Sequence, residues 1–180
     1  MIVELRQYTL HPGKRDVLME LFGREFVTGQ EDAGMKILGW YQDLDDPDRF
    51  VWLRAFASMQ ERAESLTRFY FGPVWQAHRD VANATMIDSD DVLLLQTQSL
   101  VELPSGRLTA TLFYFDGPVP QDFAADVAAL ARFETLHAEN TFPQLPIRTG
   151  ENVLVLITTA DTDLPQGEAS KIERLRLSTP

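Results

Sequence analysis

The sequence predicts an α+β fold built from two ferredoxin-like units in tandem. Three observations carry this reading. The first hundred residues alternate between strand-like and helix-like stretches in the order β-α-β-β-α-β. A break at Pro104-Ser105-Gly106 follows. After it the pattern resumes: Tyr114-Phe115-Asp116 then Gly117-Pro118 aligns with Tyr8-Thr9-Leu10 then Pro12-Gly13. The units are assigned to residues 1–103 and 104–180. The second is expected to lack its second helix, because only Ala160 to Ser170 separate its last two strands.

Each element has a local reason. Ile2 to Leu10 alternates and is rich in β-formers, so it predicts a strand that His11-Pro12-Gly13 ends. Val17, Leu18, Leu21, Phe22 and Phe26 recur at spacings of three and four, the period of an amphipathic helix, with Gly29 and Gly34 bracketing its end. Met35 to Leu44 and Arg49 to Phe56 predict strands paired across an Asp-Pro turn. Ser58-Met59-Gln60-Glu61 matches a capping box, which starts a helix near Met59. Gly72-Pro73 breaks that helix, and Pro73 opens another through Trp75, His78 and Val81. Val92 to Thr97 is the fourth strand. In the second unit, strands are expected at Leu108 to Phe115, Leu136 to Asn140, Asn152 to Thr159 and Lys171 to Leu177. A helical stripe is expected through Phe123, Val127, Leu130 and Ala131.

Composition narrows the function classes. The 180 residues are 44% hydrophobic and 24% charged, which is ordinary for a globular chain. Sixteen Lys+Arg against 27 Asp+Glu leave a net charge of −11. That balance argues against nucleic acid or an anionic membrane as partner, since both need a positive footprint. There are no cysteines, which removes disulfides, thiolate nucleophiles and cysteine-bound metal together. Charges at Glu4 and Arg6 interrupt any apolar leader, so a cytoplasmic location is expected.

Several segments resemble the NIPSNAP family. They are Glu4-Leu5-Arg6-Gln7-Tyr8-Thr9-Leu10-His11-Pro12-Gly13, Gly39-Trp40-Tyr41, Arg49 to Phe56, and Gly72-Pro73-Val74-Trp75. Asn140 to Arg148 looks like the second-repeat signature of bacterial two-repeat members. The resemblance implies the dimeric α/β-barrel superfold, in which two ferredoxin-like sheets pack face to face. It implies no catalytic motif, and fold alone does not carry activity.

Candidate chemistry centres on two arginines. Side chains alternate along a strand, so Arg6 and Tyr8 oppose Val3 and Leu5, while Arg54 shares a face with Phe50, Trp52 and Phe56. The aliphatic sets are expected to face the helices and the arginine–aromatic sets the barrel interior. Buried charges must be compensated. Arg6 and Arg54 either pair with Glu4 or another carboxylate, or form a site for a carboxylate or enolate, which a planar guanidinium grips bidentately.

His78 and Trp75, one helical turn apart, are candidates for a pocket with His78 as general base; the competing reading is a surface histidine beside a core tryptophan. His137 is placed on the strand that corresponds to Trp40, and both, with Arg148, are binding candidates. Phe142 and Arg148 lie in a proline-marked flap. No metal spacing, phosphate loop or nucleophile elbow is present, and no cofactor is expected. A binding module for a small molecule or protein is the first functional reading. The alternative is a cofactor-independent monooxygenase- or isomerase-type enzyme acting on a small anionic or aromatic substrate. An uncovered face on the shortened second unit predicts a homodimer.

Overall fold

β1 (Ile2–Leu10) and β3 (Arg49–Phe56) have the bounds their alternation predicts, and they pair antiparallel from Ile2↔Phe56 to Thr9↔Arg49. The structure, a computed structural model, describes residues 1–159 and 162–180. Between these strands run α1 (Arg15–Leu21), a π-helical turn (Phe22–Phe26), α2 (Val27–Asp32) and β2 (Lys36–Asp43). Gly29 therefore lies inside helix rather than at its end. α3 (Met59–Tyr70) starts where the cap predicts, the Glu61 N–H donating to Ser58 Oγ at 3.1 Å. The Glu61 carboxylate does not close the capping box; it lies 4.0 Å from Arg68 instead. α4 (Pro73–Asn83) opens on proline, and β4 (Met86–Gln96) begins earlier than Val92.

The second half holds β5 (Arg107–Phe115), β6 (Ala131–Thr135), β7 (Asn152–Thr159) and β8 (Lys171–Ser178). It departs from expectation in two ways. Residues 121–126 form turns and 127–130 run irregularly, with no helix. Pro118 and Pro120 precede them, and Ala124 takes φ 54°, a left-handed conformation that ends any helical run. The strand expected at Leu136 to Asn140 is instead β6, so His137 lies beyond its end. Among the described residues the second half carries no helix, so it lacks both of those a full unit would have.

The eight strands close into one antiparallel barrel in the order β1-β3-β2-β8-β5-β7-β6-β4. The two sheets are thus not separate layers. They join at Gln42↔Ser178 and Asp43↔Leu177 on one side and at Leu95↔Thr135 and Gln96↔Glu134 on the other.

The facing of the first half is the reverse of the sequence expectation. Val3, Leu5, Val51, Leu53, Leu93 and Leu95 fill the barrel with Leu112, Phe133, Val155 and Leu175. Arg6, Tyr8, Trp52 and Arg54 face the helices. The reason is closure. A small barrel has room only for packed side chains, and aliphatic ones fill it without needing hydrogen-bond partners. The helix layer, in contrast, supplies polar groups of its own.

On the outer face of the second half's strands, Phe113, Phe115, Leu154 and Leu156 pack against Phe123, Ala124 and Leu164 from loops that replace helices. The apolar surface that motivated a homodimer is filled largely within the chain. The barrel interior of the first half has no such alternative cover. We expect a fragment ending at residue 103 to self-associate through that face. Light scattering of the fragment checks this; a folded monomer would contradict it.

Candidate functional site

The helix-facing side of β1 and β3 carries a charged cluster and, beside it, a cavity. Glu4 is the hub. Its Oε2 accepts from Arg6 Nη1 at 2.8 Å and from Arg54 Nε at 2.8 Å, and its Oε1 accepts from Arg62 Nε at 2.6 Å. Glu4, Arg54 and Arg62 are 0% exposed and Arg6 is 1% exposed. Arg54 Nη1 also donates to Gln30 Oε1 of α2 at 2.8 Å, and Arg62 Nη1 donates to Asn140 Oδ1 at 3.0 Å. Arg54 Nη2 lies 2.7 Å from Glu4 Oε2 but out of line with its own N–H bonds, so that contact is Coulombic only. Arg62 Nη2 has no hydrogen-bond partner among the described residues.

Three buried guanidiniums thus share one carboxylate, a local charge of +2 inside a chain of net charge −11. Burial alone would raise the Glu4 pKa. Arg54, Arg6 and Arg62 outweigh it and hold the carboxyl well below the usual range. Burial would likewise depress Arg6, but its contacts with Tyr8 and Glu4 hold it above its ordinary value. Aromatic faces supply part of the remaining solvation: Arg54 Cζ lies 5.0 Å from the Trp52 ring centroid and Arg6 Cζ 5.4 Å from the same ring.

The cavity, about 90 Å³, opens between this face and the helices. Arg6, Tyr8, Gln30 and Trp52 contribute to its lining with Phe22, Phe26, Tyr70 and Trp75. Phe22 and Phe26 bound the π-helical turn, and such insertions recur at functional sites. The wider turn presses Gly23 against Trp40, where a Cβ would meet Trp40 Cη2 at 2.9 Å. Residues 140–148 cross over from the second half as a cover. Phe142 stacks near Tyr70 at 6.0 Å, Thr141 Oγ1 donates to the Met59 carbonyl at 3.1 Å, and Leu145 reaches the cavity wall.

The structure gathers some sequence candidates and separates others. Arg6, Tyr8 and Trp75 line the cavity, with Arg54 directly behind Gln30 and Trp52. Trp40 supports the wall by packing on Phe22 at 5.8 Å. His78 is not among the lining residues. It sits at the surface with Nε2 3.6 Å from Glu25 Oε2, edge-on to Phe26. His137 and Arg148 share a different groove of about 310 Å³. There His137 Nε2 is 3.0 Å from Asn152 Oδ1, and Arg148 is engaged by Asp91, Glu151 and the Tyr114 hydroxyl. A larger groove of about 560 Å³ over β5, β7 and β8 is open, and the side chain of its Arg176 is paired with Asp45.

Sequence reading missed Arg62, Gln30 and the cover's contact with Arg62. Arg62 had a signal: it stands at helical spacing from Leu66 and Phe69, a charge on the apolar stripe of α3. Among the described residues no cluster of metal-binding side chains occurs, and no helix is long and apolar enough to cross a membrane.

Comparison with known proteins agrees with this architecture. None of the curated proteins matches the sequence. A solved NIPSNAP family protein from Agrobacterium tumefaciens is similar at 22% identity and a TM-score of 0.50, over 57% of this chain and 98% of its own. A protein from Fusobacterium nucleatum, provisionally named a monooxygenase, is similar at 8% identity and a TM-score of 0.61, over 98% of this chain and 91% of its own. At such identities the likeness speaks to fold alone. The sequence itself goes further: residues 3–99 match the family model for NIPSNAP, and the chain belongs to the NIPSNAP family.

Proposed function

We propose that this NIPSNAP chain is a small-molecule binding protein whose ligand is an anion, seated in the cavity between the sheet and the helices of its first half. The strand order β4-β1-β3-β2 and its counterpart β8-β5-β7-β6 support a reading of the two halves as ferredoxin-like repeats, 1–103 and 104–180. On that reading the first half keeps the helices and the site, and the second closes the barrel and supplies the cover. The carrying observation is the charge count: three fully buried guanidiniums against one carboxylate. Uncompensated buried charge is costly, and an anion in the adjoining cavity offsets it.

Size narrows the ligand. An engineered apolar cavity that takes up benzene measures about 150 Å³. A cavity of about 90 Å³ therefore favours a short aliphatic anion over an aromatic one. The enzymatic alternative, a cofactor-independent monooxygenase or isomerase, has the oxyanion-stabilising groups it needs in Arg6 and Tyr8. Among the described residues lining the cavity, however, there is no carboxylate or imidazole to abstract a proton, which favours binding over turnover.

Arg54→Met tests the charge argument, because Arg54 is behind the cavity wall and its loss leaves the lining intact. Glu4 keeps Arg6 and Arg62, so the stability loss should be smaller than that of removing Glu4. In thermal melting, small carboxylates should raise the melting temperature of the wild type by mass action, and the rise should shrink in Arg54→Met. Equal rises in both proteins, or none in either, would contradict the reading.

A further inference from the structure

Two buried donors beside the cavity have no acceptor among the described residues. The Tyr8 hydroxyl accepts from Arg6 Nε at 3.0 Å, so its own hydrogen is free, and no acceptor for it occurs among the described residues. Burial raises the Tyr8 pKa, which keeps that hydrogen in place at neutral pH. Trp52 is 2% exposed and its Nε1–H has no partner among the described residues. Gln30 is 1% exposed and commits its Oε1 to Arg54, which leaves its Nε2 as a donor. Arg6 adds a fixed positive charge. The Ser89 carbonyl, an acceptor in the same lining, is already faced by Arg6 Nη2 at 3.5 Å. A buried donor left unpaired costs about 1–3 kcal/mol in general, so the Trp52 N–H and the free Tyr8 hydrogen beside one small cavity point to a missing acceptor.

We propose that the cavity selects a deprotonated short-chain carboxylate of about two to four carbons, its oxygens accepting from the Tyr8 O–H and the Trp52 Nε1–H beside Arg6. This rests on the anion reading above and sharpens it: the head group must be acceptor-only, not merely negative or polar. A carboxylate offers lone pairs in every in-plane direction and no hydrogen. A carboxamide of the same shape brings an NH2 that would face donors. The alkyl tail lies toward Phe22, Phe26 and Leu18, which form the apolar side of the cavity. Discrimination by unpaired polar groups is stronger than discrimination by a methylene, so the head group should matter more than the chain length.

The test uses the full chain labelled with nitrogen-15. Its three tryptophans give three indole N–H signals, and Trp52→Phe identifies one of them. Sodium propionate, propionamide and sodium chloride are titrated in parallel. Propionate should move the Trp52 indole signal saturably, while propionamide should need about tenfold more or fail to saturate. Tyr8→Phe should weaken propionate binding by about tenfold, with the remaining amide signals in place. If propionamide matches propionate, the head-group selection is wrong. If propionate raises the melting temperature yet leaves the Trp52 signal unmoved, the donor assignment falls and the anion reading survives. If neither propionate nor chloride changes the spectrum or the melting temperature, both fall. The wild-type titration decides the matter even where Tyr8→Phe does not fold.

Discussion

Glu4→Gln should destabilise the protein by about 3–5 kcal/mol, the cost of breaking a buried ion pair from one side. The carboxylate is the counter-charge to Arg6, Arg54 and Arg62, all buried. The amide keeps the shape, removes the charge, and points an N–H at a guanidinium. Against a typical total stability of about 5–15 kcal/mol, the variant sits near its unfolding threshold. Protonation does the same thing as the mutation. Burial pushes Glu4 up and the three guanidiniums more than reverse it, so the folded pKa lies below the unfolded one. A carboxyl depressed in this way contributes stability that is fully present above its unfolded pKa, about 4.3, and is lost as pH falls toward the folded pKa. The urea midpoint of the wild type should therefore fall below about pH 4, while the gap between wild type and Glu4→Gln narrows. Equal midpoints at pH 7 would refute the account of the cluster.

Phe133→Ala should cost about 3–5 kcal/mol, in the range for emptying a buried aromatic site. Phe133 lies on β6, pairs with Val155, is 0% exposed and points into the barrel. Phe123→Ala is the comparison. That ring packs on the outer face, at 5.1 Å from Phe113 and 5.0 Å from Phe115, under a loop that can settle onto the gap. It should cost less. Denaturant unfolding of the two variants checks which face of the second half is the core. A larger loss for Phe123→Ala would mean that the loop-covered face, not the barrel interior, dominates.

The elements with strong local signals were legible in the sequence. β1 and β3 follow their alternation, β7 its short apolar run, Ser58 caps α3, and Pro73 opens α4. The face of each strand was legible only as a set. Val3 and Leu5 share one side and Arg6 and Tyr8 the other, but which side meets the helices depends on a partner strand many residues away. Closure decided it: a barrel interior cannot satisfy an arginine, whereas the helix layer offers Gln30 and the covering loop offers Asn140. The second half was misread where local propensity and context disagree, since the Ala-rich stretch from Phe123 to Ala131 favours helix on its own. Phe123, Val127 and Leu130 have helical spacing, yet flanking prolines and a short span to β6 leave room only for turns. The site was half legible. Arg6, Arg54 and the alternative of a Glu4 pairing followed from alternation. Arg62 was visible only as a charge on the apolar stripe of α3; its pairing with Glu4, 58 residues away, and the π-helical turn had no signature in the sequence.

The cluster pairs with Glu4 and still carries excess charge, so the two sequence readings of the arginines are not exclusive. On the proposed function, a small carboxylate in the adjoining cavity meets this excess. A crystal structure of the chain grown in propionate should show one carboxylate in the cavity, with its oxygens about 2.7–3.2 Å from Tyr8 Oη and Trp52 Nε1. A cavity holding ordered water alone, or closed by its own side chains, would contradict it.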